Sequence, residues 1–130
     1  MTKTAVTSRE LAPPVGPFSQ AIEVGGFLYV SGQVGQDAAT GKVVEGGIEA
    51  ETERVLRNLA AVLKAAGKSF DHVARAGVYL TRMSDFAAMI SLAGTRFSRL
   101  AMTRRPSISL LGLNMRDGLR MKGWLRRRPA

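Results

Sequence analysis

The stretch Gly16–Gln33, GPFSQAIEVGGFLYVSGQ, decides how the chain is put together. Its centre holds two short runs of strand character, Ala21–Val24 and Phe27–Ser31, separated by Gly25-Gly26. Paired runs around a two-residue glycine link are the local signature of a tight antiparallel hairpin. Gly16-Pro17-Phe18-Ser19-Gln20 leads in and Ser31-Gly32-Gln33 leads out, so pairing the runs gathers small polar groups and bare backbone at one end. Glycine there lets a ligand approach a backbone N–H or C=O, which is how a small-molecule pocket is built. The same residues also suit an ordinary hairpin with polar flanks.

Upstream, Lys3–Thr7 reads as a short strand, and Pro13-Pro14 block any helix. Downstream, Asp37-Ala-Ala-Thr-Gly41 reads as a turn, since Asp and Gly suit its backbone angles. A helix is predicted over Ile48–Ala66. Ile48, Thr52, Val55, Leu56, Leu59, Val62, Leu63 and Ala66 share one face, Glu49, Glu51 and Glu53 complement the dipole at the start, and Lys64 does so at the end. Gly67 is placed to stop it. The helix is expected to cover a sheet, with its residues core or solvent face rather than catalytic.

His72–Thr81 (HVARAGVYLT) is strand-like, with His72 at its start as a surface residue. Ser84 can cap a second helix, whose apolar stripe is Phe86, Met89, Ile90, Ala93 and Phe97. Two more strands are expected, Ser107–Leu113 and Leu119–Arg126. The second alternates apolar Leu119, Met121, Gly123 and Leu125 with Arg120, Lys122, Trp124 and Arg126, as a half-buried strand does. The order ββ-α-β-α-ββ predicts an α+β sandwich, a mostly antiparallel sheet with two helices packed on one face.

Composition narrows the function classes. A chain of 130 residues with 45% hydrophobic content is expected to form one globular domain, residues 1–130. It has no cysteine, which excludes disulfides and thiol catalysis, and a single histidine, which argues against a zinc site of the usual kind. No secretory leader or apolar membrane span is visible, so a soluble cytoplasmic protein is expected, with no membrane partner. Residues 1–80 carry eight Lys/Arg and eight Asp/Glu, whereas residues 81–130 carry eleven Lys/Arg and two Asp. The whole net charge of +9 therefore belongs to the last third, and a one-sided positive field favours anionic partners. Gly32-Gln-Val-Gly35 lacks the third glycine of a dinucleotide loop and no GK[ST] occurs, so no nucleotide cofactor, and no other cofactor, is indicated.

GPFSQA at 16–21, SGQ at 31–33 and DAATGKVVEGGIEAETERVLRNLAAVLKAAG at 37–67 together resemble the RidA (YjgF) family of reactive-intermediate deaminases, long grouped with endoribonuclease L-PSP and translation inhibitors. The likeness is close over Leu11 to Met89 and loose beyond. It implies a chorismate mutase-like sandwich and a homotrimer with a pocket at each subunit interface. The implied reaction is hydrolysis of enamine or imine intermediates, such as 2-iminobutanoate and 2-iminopropanoate, to 2-oxo acids and ammonia. Carried over by position, Arg105 matches the arginine that forks onto the substrate carboxylate, a bidentate fit. Ser31 and Gly32 match the backbone that holds the opposite end, and Phe18 replaces a tyrosine, keeping a wall but losing a hydroxyl. Ser107 occupies a position that is often Cys or Thr.

Two departures bear on the chemistry. Ile90 stands where the family usually has Asn, and Arg120 stands where a glutamate on the last strand helps position water, with Lys122 in place of its acidic neighbour. An arginine, always protonated, is no base. Divergence towards more anionic ligands gives such a strand, and so does a shifted reading frame near the gene's end. Three functions follow: a deaminase relying on water held by backbone groups, a non-catalytic small-ligand-binding member of the family, or an RNA-directed endoribonuclease or translation inhibitor. For the last, the basic third suits nucleic acid, but charge alone is nonspecific and no His/acid pair for in-line cleavage is visible.

Overall fold

The computed structural model of the chain describes residues 2–14 and 16–96. Three strands, β1 (Thr4–Val6), β2 (Ala21–Val24) and β3 (Phe27–Val30), form an antiparallel sheet in the order β1-β2-β3. Gly25 and Gly26 make the β2–β3 turn with φ of 58° and 79°. Two consecutive positive φ values are what a type I′ turn requires, and its twist matches that of the strands. Ala21 lies opposite Val30, and Val24 opposite Phe27.

Helix α1 (Gly47–Ala65) closes one face of this sheet. Val62 is fully buried against Val6 and Ala21, with Leu28 and Val30 beside them. The helix ends as expected. Gly67 takes φ 67°, its N–H donates to the Lys64 carbonyl, and the Lys68 N–H donates to the Leu63 carbonyl, which is the Schellman arrangement. Helix α2 (Phe86–Arg96) packs on the other flank of α1, where Val55 and Leu56 meet Met89 and Ala93. Phe70, Val73, Val78 and Leu80 pack against this second cluster. The chain is thus α+β as expected.

Two local expectations are corrected. His72 does not begin a strand: it closes a one-turn 3-10 helix, Phe70–His72, and no named strand covers 73–81 among the described residues. Ser69 and His72 form a reciprocal cap there, the Ser69 N–H donating to His72 Nδ1 at 3.1 Å, and this competes locally with extended pairing. Ser84 does not cap α2, because it lies inside a second 3-10 turn, Met83–Asp85, that runs directly into the helix. Of the three glutamates at the start of α1, Glu49 and Glu53 are exposed and Glu51 is buried. The expected strands over 107–113 and 119–126, and Phe97, lie outside the described residues.

The turn after β3 forms as read, and is held by charge as well as shape. Asp37 Oδ1 accepts from the Ala39 and Thr40 amides at 2.9 and 3.0 Å, and Asp37 Oδ2 pairs with Arg54 of α1 at 3.1 Å. The Thr40 and Ala39 amides, helped by the Arg54 guanidinium, hold the Asp37 carboxyl below its ordinary value of 3.8. A group with a lowered folded pKa stabilises the fold above its unfolded pKa and loses that contribution as pH falls through the folded one.

Two outcomes are expected. Asp37→Asn keeps the acceptor shape but loses the charge, so it should melt below the parent at neutral pH, with the gap closing as pH falls beneath the carboxylate range. A gap that persists in acid would assign the effect to shape alone. Met89, 1% exposed, joins α1 to α2. Met89→Ala should lower the unfolding free energy in urea by about 2–5 kcal/mol.

Candidate functional site

The two motifs that flank the hairpin are brought side by side. In the lead-in, the Phe18 N–H donates to the Gly16 carbonyl at 2.9 Å, and the Phe18 ring folds back over Gly16, leaving the ring 50% exposed. Gln20 is buried and clips this segment to the N-terminal strand region: its Oε1 accepts from the Ser8 N–H at 2.6 Å and its Nε2 donates to the Ser8 carbonyl at 3.3 Å. The lead-out is then tied to the lead-in. Ser31 N–H donates to the Gln20 carbonyl at 2.9 Å, and Ser31 Oγ donates to the Ser19 carbonyl at 2.5 Å. These bonds continue the β2–β3 ladder by one step, which is why the sequence order Ser19-Gln20…Ser31 suffices to build them.

Gly32 follows, exposed, with neither its N–H nor its carbonyl engaged by any described residue. Gln33 Nε2 turns back onto the Ser31 carbonyl at 3.1 Å. The edge built from Phe18, Ser19, Ser31, Gly32 and Gln33 is uncharged. It offers an aromatic wall and a free peptide unit, and can hold the neutral end of a small ligand by hydrogen bonds.

The loop beyond is seated on α1 by a residue that the sequence did not mark. Asn58, buried, donates from Nδ2 to the carbonyls of Val34 and Gln36, each at 3.0 Å. Between those carbonyls Gly35 lies flat on the helix, so close that a Cβ on it would stand 3.0 Å from Glu51 Cα. The signal was present in the spacing. Asn58 falls three residues after Val55 and four before Val62, inside the apolar stripe, where a polar side chain must find partners.

Of the other expected site residues, Arg105, Ser107 and Arg120 lie outside the described residues. Ile90 packs half-buried against the α1–α2 cluster. His72 is exposed and occupied in its own cap. Two shallow grooves flank α1, lined by cations that already have partners: Arg54 with Asp37, Arg57 with Glu53 at 2.6 Å, and Lys64 with Glu10 at 2.7 Å. Neither groove is lined by Phe18, Ser31 or Gly32. Among the described residues no group of three His, Asp or Glu side chains could hold a metal ion, and no helix is long and apolar enough to cross a membrane.

Comparison with known proteins bears on the same motifs. The family model described as Endoribonuclease L-PSP matches residues 9–116. A RutC family protein of Pyrococcus abyssi is 43% identical over 89 residues, 68% of this chain and 70% of that protein. The mouse 2-iminobutanoate/2-iminopropanoate deaminase is 37% identical over 95 residues, 73% of this chain and 70% of the enzyme. The crystal structure of RidA from an Antarctic Psychrobacter superposes with a TM-score of 0.70 at 32% identity, covering 84% of this chain and 83% of that one. With the hairpin, its two flanking motifs and the helix that seats them all in place, the chain belongs to the endoribonuclease L-PSP family, which is the RidA (YjgF) family.

Proposed function

We propose that the protein is an imine and enamine deaminase that hydrolyses 2-iminobutanoate- and 2-iminopropanoate-type intermediates to 2-oxo acids and ammonia. The observation that carries this is the exposed Gly32 peptide, engaged by no described residue and set next to the Ser19–Ser31 tie, at the place where the motifs match a family that includes the mouse deaminase. The described edge is neutral, so the substrate's carboxylate needs a cation from elsewhere. Arg105 is assigned to it: a guanidinium matches a carboxylate bidentately, and the position falls inside the family match, which ends at residue 116. Ser107 stands beside it in sequence as a hydroxyl partner.

The chemistry asks little of the protein. Water adds to the C=N carbon as the π electrons move to nitrogen, giving a carbinolamine. Its hydroxyl then collapses to the ketone as the C–N bond breaks, and ammonia leaves with a proton from the hydroxyl. An already electrophilic iminium needs placement and proton transfer to water more than a strong base. With Arg120 in place of the expected glutamate, the water is held by backbone groups, and among the described residues the exposed Gly32 peptide is a candidate for one of them. Arg120 and Ile90 also favour a second reading, a family member that binds a 2-oxo or amino acid without turning it over. Saturable binding with no ammonia release separates the two.

We further propose that three copies assemble through the sheet face that α1 leaves uncovered, so that the pockets lie between subunits. Ala5, Ile22 and Tyr29 lie abreast on that face, with Val24 and Phe27 beside them. Phe27 is 67% and Tyr29 62% exposed, and their rings touch with centroids 6.4 Å apart. Contiguous aromatic and aliphatic surface of this kind marks an interface.

Two experiments test these assignments. With imine generated in situ by an amino-acid oxidase or a threonine dehydratase, Arg105→Ala should lower kcat/KM for ammonia release about 10- to 100-fold, as loss of a charge-assisted bidentate contact does. Unchanged rates would remove Arg105 from the site. Phe27→Asp should convert the trimer to monomer by light scattering and lose activity with it; a variant that stays trimeric would place the interface elsewhere.

A further inference from the structure

The Ser31–Gly32 peptide is useful to a ligand only if its position is fixed, and the hairpin alone fixes one end of it. Ser31 is tied to Ser19 and Gln20, but from Gly32 onward the chain leaves the sheet. The next fixed points are Val34 and Gln36, and both are held by the same side chain. Asn58, 5% exposed, directs the two hydrogens of its amide nitrogen at carbonyls 24 and 22 residues away in sequence. Two carbonyl acceptors on one nitrogen settle which atom of the amide faces the loop, because the amide oxygen would repel both.

Gly35 completes the clamp from the opposite direction. It rests on the α1 backbone at Glu51, two helical turns before Asn58 and on the same side of the helix. Its carbonyl accepts from the Val44 N–H at 2.8 Å, and Gln36 bridges to Val43. One turn of α1 between these two points supplies Arg54, which holds Asp37. Glu51, Arg54 and Asn58 thus form a stripe along α1 on which residues 34–37 are laid down.

We infer that Asn58 is a positioning residue for catalysis: by clamping the Val34 and Gln36 carbonyls it sets where the Ser31–Gly32 peptide stands for the end of the substrate opposite the carboxylate. This rests on the deaminase function proposed above. Asn58 touches no substrate in this scheme; it acts through four residues of backbone. Gly35 serves the same end, since only a residue without a Cβ lets the loop reach the amide.

The test uses the full-length protein, three variants and imine generated in situ. Asn58→Asp keeps the shape but turns a carboxylate oxygen to two carbonyls. Gly35→Ala pushes the loop off the helix from the other side. Arg57→Ala, on the solvent face next to Asn58, is the control. Both loop variants should speed amide exchange at Gln36 and Val44, whose N–H groups donate to the Val34 and Gly35 carbonyls, and raise KM about ten- to hundredfold, the scale of a small misplacement, with kcat changed less; Arg57→Ala should do neither. The double variant should be no worse than the worse single one, since both release the same loop. A purely structural role would instead lower the active fraction, seen as a fall in apparent kcat at unchanged KM, and that result overturns the inference. So does faster loop exchange with unaltered kinetics. Should Asn58→Asp not fold, Gly35→Ala carries the test. A parent protein that releases no ammonia above the uncatalysed rate ends the deaminase reading and the inference together, an outcome distinct from an active parent whose loop variants behave normally.

Discussion

Burial along α1 holds the described chain together. Val62 closes on Val6 and Ala21 on one flank of the helix, and Val55 and Leu56 close on Met89 and Ala93 on another. Three strands of three or four residues cannot stand alone in water, since so short a sheet leaves its apolar face wet. Packed on a 19-residue amphipathic helix, the same strands become one wall of a core. Every other described element is placed by its relation to that helix.

The helix has a second duty on the edge of its apolar face. Asn58 and Arg54 interrupt what would be a uniformly apolar or solvent-facing surface and turn it into a seat for the loop after β3. Buried polar groups of this kind stabilise only when their partners are in place, and an amide nitrogen facing two carbonyls is such a case. The hairpin therefore supplies the exposed Gly32 peptide, and the helix behind it holds the loop that follows.

Charge is divided along the chain in the same spirit. Residues 1–80 are electrically balanced, and their cations in the grooves beside α1 are consumed in local pairs. The neutral edge around Gly32 can hold the uncharged end of a ligand, while the cationic excess lies beyond residue 80. A one-sided positive charge of this kind favours anionic partners without choosing among them.

Much of the fold was legible because short-range rules govern it. Gly25-Gly26 between two strand-like runs specified the hairpin, the 3.6-residue stripe specified α1 to within a residue, and Gly67 marked its end. His72 and Ser84 were misread because a one-turn 3-10 helix depends on a few local hydrogen bonds that leave no periodic trace. The burial of Glu51, which lies under the bare Gly35, depends on that long-range contact and leaves no mark in its neighbours.

The sequence by itself determined the hairpin, the helix, the α+β class and the family, since these follow from patterns within a few residues of one another. Only the tertiary structure decided how the site is held. The contact of Asn58 with Val34 and Gln36, and of Gly35 with Glu51, joins segments sixteen to twenty-four residues apart. Whether a helix asparagine meets water or two carbonyls is set by how the loop lies on the helix, and that is fixed by packing rather than by its neighbours in the chain.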